Sequence, residues 1–194
     1  MPKTLSTMLE LGTKAPNFSL PDAVSGETIS LDTFSKRKAL LVMFICRHCP
    51  FVKHVQHELA RVGRDYSDKD VGIVAISSND VTISPGDSPS DLKEMSEELG
   101  FNFPFCYDEN QQIAKAYEAA CTPDFYLFDQ SRSLVYRGQL DDSRPGNDSP
   151  VNGKDLRAAL DALLDDQNVD ANQKPSIGCN IKWREGNEPT YYAQ

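Results

Sequence analysis

The segment Cys46-Arg47-His48-Cys49 is the part of this sequence best suited to carry out chemistry. Two cysteines separated by two residues can cycle between a dithiol and a disulfide. The apolar run 39–45 just before them predicts a buried strand, and Pro50 begins a pattern typical of a helix. Both cysteines are therefore predicted at a helix N-terminus, where the helix dipole favours a thiolate over a thiol.

The two residues between the cysteines are basic. We expect the positive charge of Arg47 and His48 to lower the pKa of Cys46, because a nearby cation stabilises a thiolate. Cys46 is then predicted to attack a substrate disulfide, and Cys49 to resolve the mixed disulfide that forms.

Zinc binding is an alternative for cysteines at this spacing. A structural zinc site usually needs a second ligand pair, and the sequence holds no second pair of this kind. The nearest imidazoles, His54 and His57, lie among charged residues on one predicted helix face, as on an ordinary solvated surface. Two buried, inert cysteines are a further alternative, which the charged residues between them disfavour. We therefore favour redox chemistry, and we expect neither a metal ion nor another cofactor.

Length and charge limit the class of protein. The 194 residues suffice for one domain, and the net charge of -9 disfavours nucleic acid or an anionic membrane surface as partner. No stretch approaches the length of a membrane span, and residues 1–7 lack the apolar core of a signal peptide. Five scattered cysteines fit a reducing compartment. We expect a cytoplasmic protein.

The first half of the chain predicts a hairpin and a βαβ unit. Segments 15–21 and 26–31 read as two short strands joined by a turn. A helix over 50–66 follows the first core strand, and 71–76 predicts a second buried strand parallel to it.

The second half predicts further elements around the same sheet. A loop over 77–90 leads into a helix that ends at Gly100, and another helix is predicted over 111–119. Strands over 125–128 and 134–136 are close enough to pair antiparallel across a turn. The last predicted elements are a helix over 153–164 and an extended tail with apolar anchors.

Thr122-Pro123, just before a predicted strand, marks a second candidate site. A proline there cannot donate to the strand ladder and is a candidate for a cis peptide bond. Together with the cysteine pair, it makes the chain resemble thioredoxin-fold proteins, in which this loop faces the dithiol. The resemblance implies that the backbone of Thr122 and Pro123 positions the substrate.

More closely, the sequence resembles the peroxiredoxin-like branch of that superfamily, grouped with alkyl hydroperoxide reductase and thiol-specific antioxidant domains. The segments that carry this resemblance are 15–20, 46–50, 121–125, 136–142 and 175–183. It implies an α/β, thioredoxin-like fold: a central mixed sheet flanked by helices, with an N-terminal β-hairpin and an extended C-terminal tail. We assign residues 1–166 to the domain and 167–194 to a tail that packs on it.

The sequence departs from true peroxiredoxins at three places. The resemblance implies a peroxide-attacking cysteine at Cys49, with Thr or Ser three residues earlier, Pro seven residues earlier and a distant Arg. Here Cys46, Val42 and Thr122-Pro123 stand at those places. Without the hydroxyl and guanidinium groups, cleavage of the O–O bond loses its prearranged hydrogen bonds.

Three more cysteines lie outside the pair. Cys121 is interpreted either as an auxiliary resolving thiol or as a packed core residue, and Cys106 as a small buried hydrophobe. Cys179 belongs to the tail. If the tail crosses the active face, Cys179 can form a disulfide with Cys46 or Cys121; otherwise its role is structural.

The sequence therefore predicts a thiol–disulfide oxidoreductase. Its expected partners are protein or small-molecule disulfides and a thioredoxin or glutathione reducing system. One alternative is a peroxiredoxin-like thiol peroxidase, in which a sulfenic acid on Cys46 is captured by Cys49. The other is a redox-sensing module or metal carrier that holds a soft ion on the two thiolates.

Overall fold

The computed structural model describes residues 3–193 of the chain. The α-helices are α1 Pro50–Asp65, α2 Pro89–Leu99, α3 Gln112–Ala116 and α4 Lys154–Leu164. The strands are β1 Lys3–Leu5, β2 Ser19–Pro21, β3 Thr28–Ser30, β4 Ala39–Phe44, β5 Val71–Ser77, β6 Phe105–Tyr107, β7 Cys121–Thr122, β8 Asp124–Phe128, β9 Leu134–Gly138 and β10 Ile177–Asn180.

A five-stranded mixed sheet with the order β6-β5-β4-β8-β9 forms the centre of the molecule. β4, β5 and β6 run parallel to one another, whereas β8 and β9 are antiparallel to their neighbours. This arrangement confirms the predicted mixed sheet and the predicted antiparallel pair. β4 is the middle strand, and all six of its residues are buried. The chain therefore reaches the cysteine pair directly from a fully buried central strand.

The sheet is covered on both faces, because side chains alternate in direction along each strand. Leu41 and Met43 of β4 belong to a core that includes apolar residues of α1, α2 and α4. Leu40 and Val42 belong to a second core, which includes residues of the β2–β3 hairpin, α3 and the tail. The continuous apolar run 39–45 is explained by this double burial.

α1 holds the cysteine pair at its N-terminus. It begins at Pro50, whose fixed φ suits the first helical position and whose missing N–H would lack a partner there in any case. Its apolar face, made of Val52, Val55, Leu59 and Val62, is buried against the sheet. Packing of this face fixes the position of the helix N-terminus next to the end of β4.

The tail contributes a strand, although the sequence predicts only an extended segment there. β10 is the middle strand of a second sheet with the order β1-β10-β7. The predicted hairpin is confirmed, since β2 and β3 pair antiparallel.

Two helix boundaries show how local backbone conformation limits an element. α2 ends at Gly100, as predicted, and this residue has a left-handed conformation with a φ of 64°. α3 is shorter than the predicted 111–119, because Gln111 and Glu118 have positive φ angles of 63° and 49°. Within residues 3–193, no helix combines the length and apolar character that a bilayer crossing requires.

Candidate functional site

The cysteine pair lies at the junction of β4 and α1. Cys49 is the N-cap residue of α1, and Cys46 lies two residues beyond the end of β4. Both thiols are free, and the two residues are only 1% and 0% exposed for Cys46 and Cys49. Cys46, the predicted attacking cysteine, is therefore covered as completely as Cys49.

Thr122 contacts both sulfur atoms. Its hydroxyl lies 3.4 Å from the Cys46 sulfur, and its carbonyl oxygen accepts a 3.1 Å hydrogen bond from the Cys49 thiol. The peptide bond between Thr122 and Pro123 is cis, as predicted. The structure thus brings together Cys46, Cys49, Thr122 and Pro123, from segments more than 70 residues apart in sequence.

The ionisation of the pair differs from the prediction. Burial, the hydrogen bond with Cys49 and the negative charge of Asp87 raise the pKa of Cys46. The hydrogen bond from Cys46 lowers the pKa of Cys49 to about 4, even though burial opposes this shift. In this covered arrangement the pKa of Cys46 is thus raised and that of Cys49 lowered, whereas the sequence led us to expect a lowered pKa at Cys46.

Arg47 does not supply the expected charge to the cysteines. Its guanidinium forms ion pairs with Glu94 and, at 3.5 Å, with Glu98 on α2, and it donates to the carbonyl oxygen of Asp91 at 3.2 Å. These partners are two acidic side chains of α2, Glu94 and Glu98. These carboxylates neutralise the charge of Arg47, so that it does not stabilise a thiolate on Cys46.

His48 is likewise engaged by another residue. Its Nδ1 atom pairs with the Asp87 carboxylate, which is fully buried, while the His48 side chain is 28% exposed. Asp87 carries the charge that raises the pKa of Cys46. His48, which was expected to lower the pKa of Cys46, is thus paired with an anion that raises it.

Asp87 is the functional residue that sequence reasoning missed. One carboxylate oxygen accepts hydrogen bonds from the backbone N–H groups of Arg47 and His48, at 2.8 and 3.1 Å. The other accepts from Asn79 at 2.8 Å. Burial opposes the charge of Asp87, but the hydrogen bonds from His48 and Asn79 outweigh it and lower its pKa. Asp87 therefore holds the loop between the two cysteines, although the sequence showed only a polar loop there.

The same residues form a small group of potential metal ligands. Ligand atoms of Cys46, His48 and Asp87 lie within 4.8 Å of one another. Both Asp87 oxygens already accept hydrogen bonds from protein groups, so a cation would have to displace these donors. His54 and His57, the imidazoles considered for zinc, are not part of this group.

The remaining cysteines occupy different surroundings. Cys179 of β10 lies opposite Thr122 in the strand register, and its thiol neighbours that of Cys49. The Cys121 thiol instead donates to the carbonyl oxygen of Pro123 at 3.6 Å, and burial and the charge of Asp124 raise its pKa. Cys106 is fully buried on β6, as predicted. Of these three cysteines, only Cys179 has its thiol next to the pair formed by Cys46 and Cys49.

Comparison with known proteins points to one family. A family model described as AhpC/TSA family matches residues 11–137. Thiol-disulfide oxidoreductase ResA from Bacillus anthracis is 24% identical over 127 residues, which cover 66% of this chain and 68% of the relative. A protein of Mycobacterium tuberculosis strain H37Rv, provisionally named a peroxiredoxin, is 28% identical over 116 residues, which cover 60% of this chain and 68% of the relative.

Solved structures share the fold. An uncharacterized conserved protein from Geobacillus kaustophilus is 56% identical and superposes with a TM-score of 0.93 over 95% of this chain and 97% of its own. The thioredoxin domain of a thiol-disulfide oxidoreductase from Bacteroides vulgatus is 19% identical, with a TM-score of 0.59 over 77% of this chain and 96% of its own. The second superposition confirms the predicted thioredoxin-like fold.

Proposed function

Because the chain belongs to the AhpC/TSA family, we propose that it is a thiol–disulfide oxidoreductase in which Cys46 and Cys49 form the reactive pair. The observation that carries this proposal is the contact of both sulfurs with Thr122, directly before the cis proline. The relative named thiol-disulfide oxidoreductase supports the same reaction class.

The contacts of Thr122 support Cys46 as the attacking sulfur. In one arrangement Cys46 holds the shared proton and donates it towards a Cys49 thiolate. When the proton moves to Cys49, that thiol donates to the Thr122 carbonyl oxygen, and the Thr122 hydroxyl can donate to the Cys46 thiolate. Thr122 therefore stabilises the arrangement in which Cys46 is a nucleophile, without a proton having to leave the site.

The reaction then proceeds in two exchanges. The Cys46 thiolate attacks one sulfur of the substrate disulfide, and the second substrate sulfur leaves as a thiolate that takes up a proton. Cys49 loses its proton and attacks Cys46, which forms the Cys46–Cys49 disulfide and releases the first substrate sulfur. The substrate is reduced by two electrons and the pair is oxidised by two.

We assign Arg47, His48 and Asp87 a positioning role in this reaction. The hydrogen bonds from the backbone of Arg47 and His48 to Asp87 hold the segment between the cysteines, so the separation of the two sulfurs depends on them. We further propose protein or small-molecule disulfides as substrates and a thioredoxin or glutathione system as reductant. The five free thiols support a reducing, cytoplasmic setting.

A thiol peroxidase is the second candidate. The lowered pKa of Cys49 and the name of the Mycobacterium relative favour it. The guanidinium of Arg47, which lies between the two cysteines in sequence, is however paired with acidic residues of α2 and so is not free to polarise a peroxide at the sulfur. We therefore expect peroxide to react more slowly than a disulfide.

The test compares two oxidants on the reduced protein. The reduced protein is mixed with oxidised glutathione or with hydrogen peroxide in a rapid-quench instrument. Mass spectrometry then identifies the modified cysteines. We expect faster reaction with glutathione and a Cys46–Cys49 bond as product. Cys49→Ser should trap glutathione on Cys46, whereas the control Cys106→Ala should behave as wild type. Faster oxidation by peroxide, or glutathione trapped on neither cysteine, would overturn the proposal.

A further inference from the structure

We propose that Cys179 is a third exchange thiol, which attacks Cys49 in the oxidised pair and forms an internal Cys49–Cys179 disulfide. This inference rests on the proposed function, since the Cys46–Cys49 disulfide is its starting point. It concerns the tail strand β10, which the two-cysteine reaction does not use.

The strand register places Cys179 at the pair. β10 runs antiparallel to β7, with Cys179 opposite Thr122. The carbonyl oxygen of the same Thr122 accepts the hydrogen bond from Cys49. One residue therefore contacts Cys49 on one side and defines the position of Cys179 on the other.

Contacts at both ends hold β10 in this register. The hydroxyl of Ser176, just before the strand, donates to the Pro123 carbonyl oxygen at 2.6 Å. The backbone N–H of Lys182, just after it, donates to the Asn79 side chain at 2.8 Å, and Asn79 also holds Asp87. β10 is thus held by hydrogen bonds to the cis-proline segment and to Asn79, which in turn binds Asp87.

Gly178 allows the close approach of the two strands. A β-carbon at this position would lie 1.9 Å from the Thr122 carbonyl oxygen, far closer than two such atoms can be. Only glycine permits this seating. The sequence Gly178-Cys179 therefore combines the smallest residue, facing the peptide of Thr122, with a thiol next to Cys49.

The other two cysteines are not equivalent to Cys179. The Cys121 thiol is directed to the Pro123 carbonyl oxygen. Cys106 lies on the edge strand β6, which β5 separates from β4 and the cysteine pair. The Cys179 thiol, in contrast, shares a hydrogen bond with that of Cys49, and this contact contributes to the lowered pKa of Cys49.

The step is a balanced internal exchange. The Cys179 sulfur attacks the Cys49 sulfur, the Cys46–Cys49 bond breaks and the Cys49–Cys179 bond forms. The proton lost by Cys179 is taken up by the Cys46 thiolate, so Cys46 is reduced and Cys179 is oxidised. No external oxidant is needed. The exchange returns Cys46 to its free form and moves the disulfide to the tail, where a reductant can reach it if β10 separates from β7.

The experiment maps disulfides in wild type, Cys46→Ser, Cys179→Ser and the control Cys106→Ala. Each reduced protein is treated with diamide or with oxidised glutathione, quenched in acid, alkylated and digested without reductant. We expect a Cys49–Cys179 peptide in wild type, in the control and in Cys46→Ser with diamide, and its complete loss in Cys179→Ser. Circular dichroism confirms that each variant is folded.

The two treatments separate the two proposals. If folded Cys46→Ser treated with diamide yields no Cys49–Cys179 peptide, the third-thiol inference is overturned while the two-cysteine reaction stands. If glutathione fails to oxidise wild type but diamide still links Cys49 to Cys179, the proposed function is overturned and the pairing is supported. A wild-type protein that forms only Cys46–Cys49 under both oxidants also contradicts the inference.

Discussion

At the scale of single residues, Thr122 links the two cysteines, because its hydroxyl and its carbonyl group contact different sulfurs. Thr122→Val removes the hydroxyl and retains the branched shape. A hydrogen bond to a charged acceptor contributes about 1.5–3 kcal/mol. Since about 1.4 kcal/mol corresponds to tenfold in rate, we expect exchange with oxidised glutathione to slow by about ten- to a hundredfold.

Thr122→Ser is the matched variant, since it keeps the hydroxyl and loses only the methyl group. Its exchange rate should stay close to that of wild type. Equal slowing of the two variants in rapid-quench kinetics would mean that packing of the methyl group, and not the hydroxyl, supports the Cys46 thiolate.

Residue chemistry was predictable from sequence where it depends on local order. The cysteine spacing, the proline at the start of α1 and the proline after Thr122 each lie within a few residues of the element that they define. Asp87 was not predictable in this way. It reaches Arg47 and His48 across about 40 positions of sequence, through a polar loop whose course depends on tertiary packing. The positive charge of Arg47 was expected from the sequence, but its ion pairs with acidic residues of α2 were not.

At the scale of elements, we expect the seating of β10 on β7 to control access to the buried pair. Gly178→Ala places a methyl group against the Thr122 carbonyl oxygen, so β10 must shift away from β7. We expect Cys46 and Cys49, which are 1% and 0% exposed in wild type, to become more accessible. The rate of alkylation by iodoacetamide, followed by mass spectrometry, should rise at least several-fold.

Gly86→Ala provides the control for this substitution. A β-carbon at Gly86 meets no atom within 4 Å, and its backbone is not left-handed. Its alkylation rate should match wild type. An unchanged rate in folded Gly178→Ala would show that β10 is not what covers the pair.

The sequence predicted elements with a strong periodic pattern better than those held by long-range pairing. The apolar run of β4 and the buried face of α1 carry their own signals. β10 has only four residues, two of them glycine and asparagine, and becomes a strand because β1 and β7 pair with its two edges. The expectation that the tail can cross the active face, with Cys46 or Cys121 as the partner of Cys179, came from the sequence, but the register that places the Cys179 thiol next to that of Cys49 did not.

At the scale of the whole molecule, burial determines how the cysteines respond to pH. Cys106 illustrates this: it is fully buried, and burial and the charge of Asp22 raise its pKa to about 12. An unfolded cysteine ionises near a pKa of about 8.5. Above that value the unfolded chain releases a proton that the native protein retains, so stability contributed by Cys106 is present below about pH 8 and is lost as pH rises towards the folded pKa.

Comparison of wild type with Cys106→Ala isolates this effect from the rest of the molecule. The net charge of -9 becomes more negative at alkaline pH in both proteins, and this repulsion cancels in their difference. We expect wild type to be the more stable protein near neutral pH, since alanine leaves a cavity. Each pH unit above the unfolded pKa should reduce its advantage by about 1.4 kcal/mol. Urea unfolding at about pH 8 and about pH 10 should therefore show the difference in unfolding free energy falling by about 2 kcal/mol. A difference that stays constant would contradict the prediction, because Cys106 would then ionise as readily in the folded protein as in the unfolded chain.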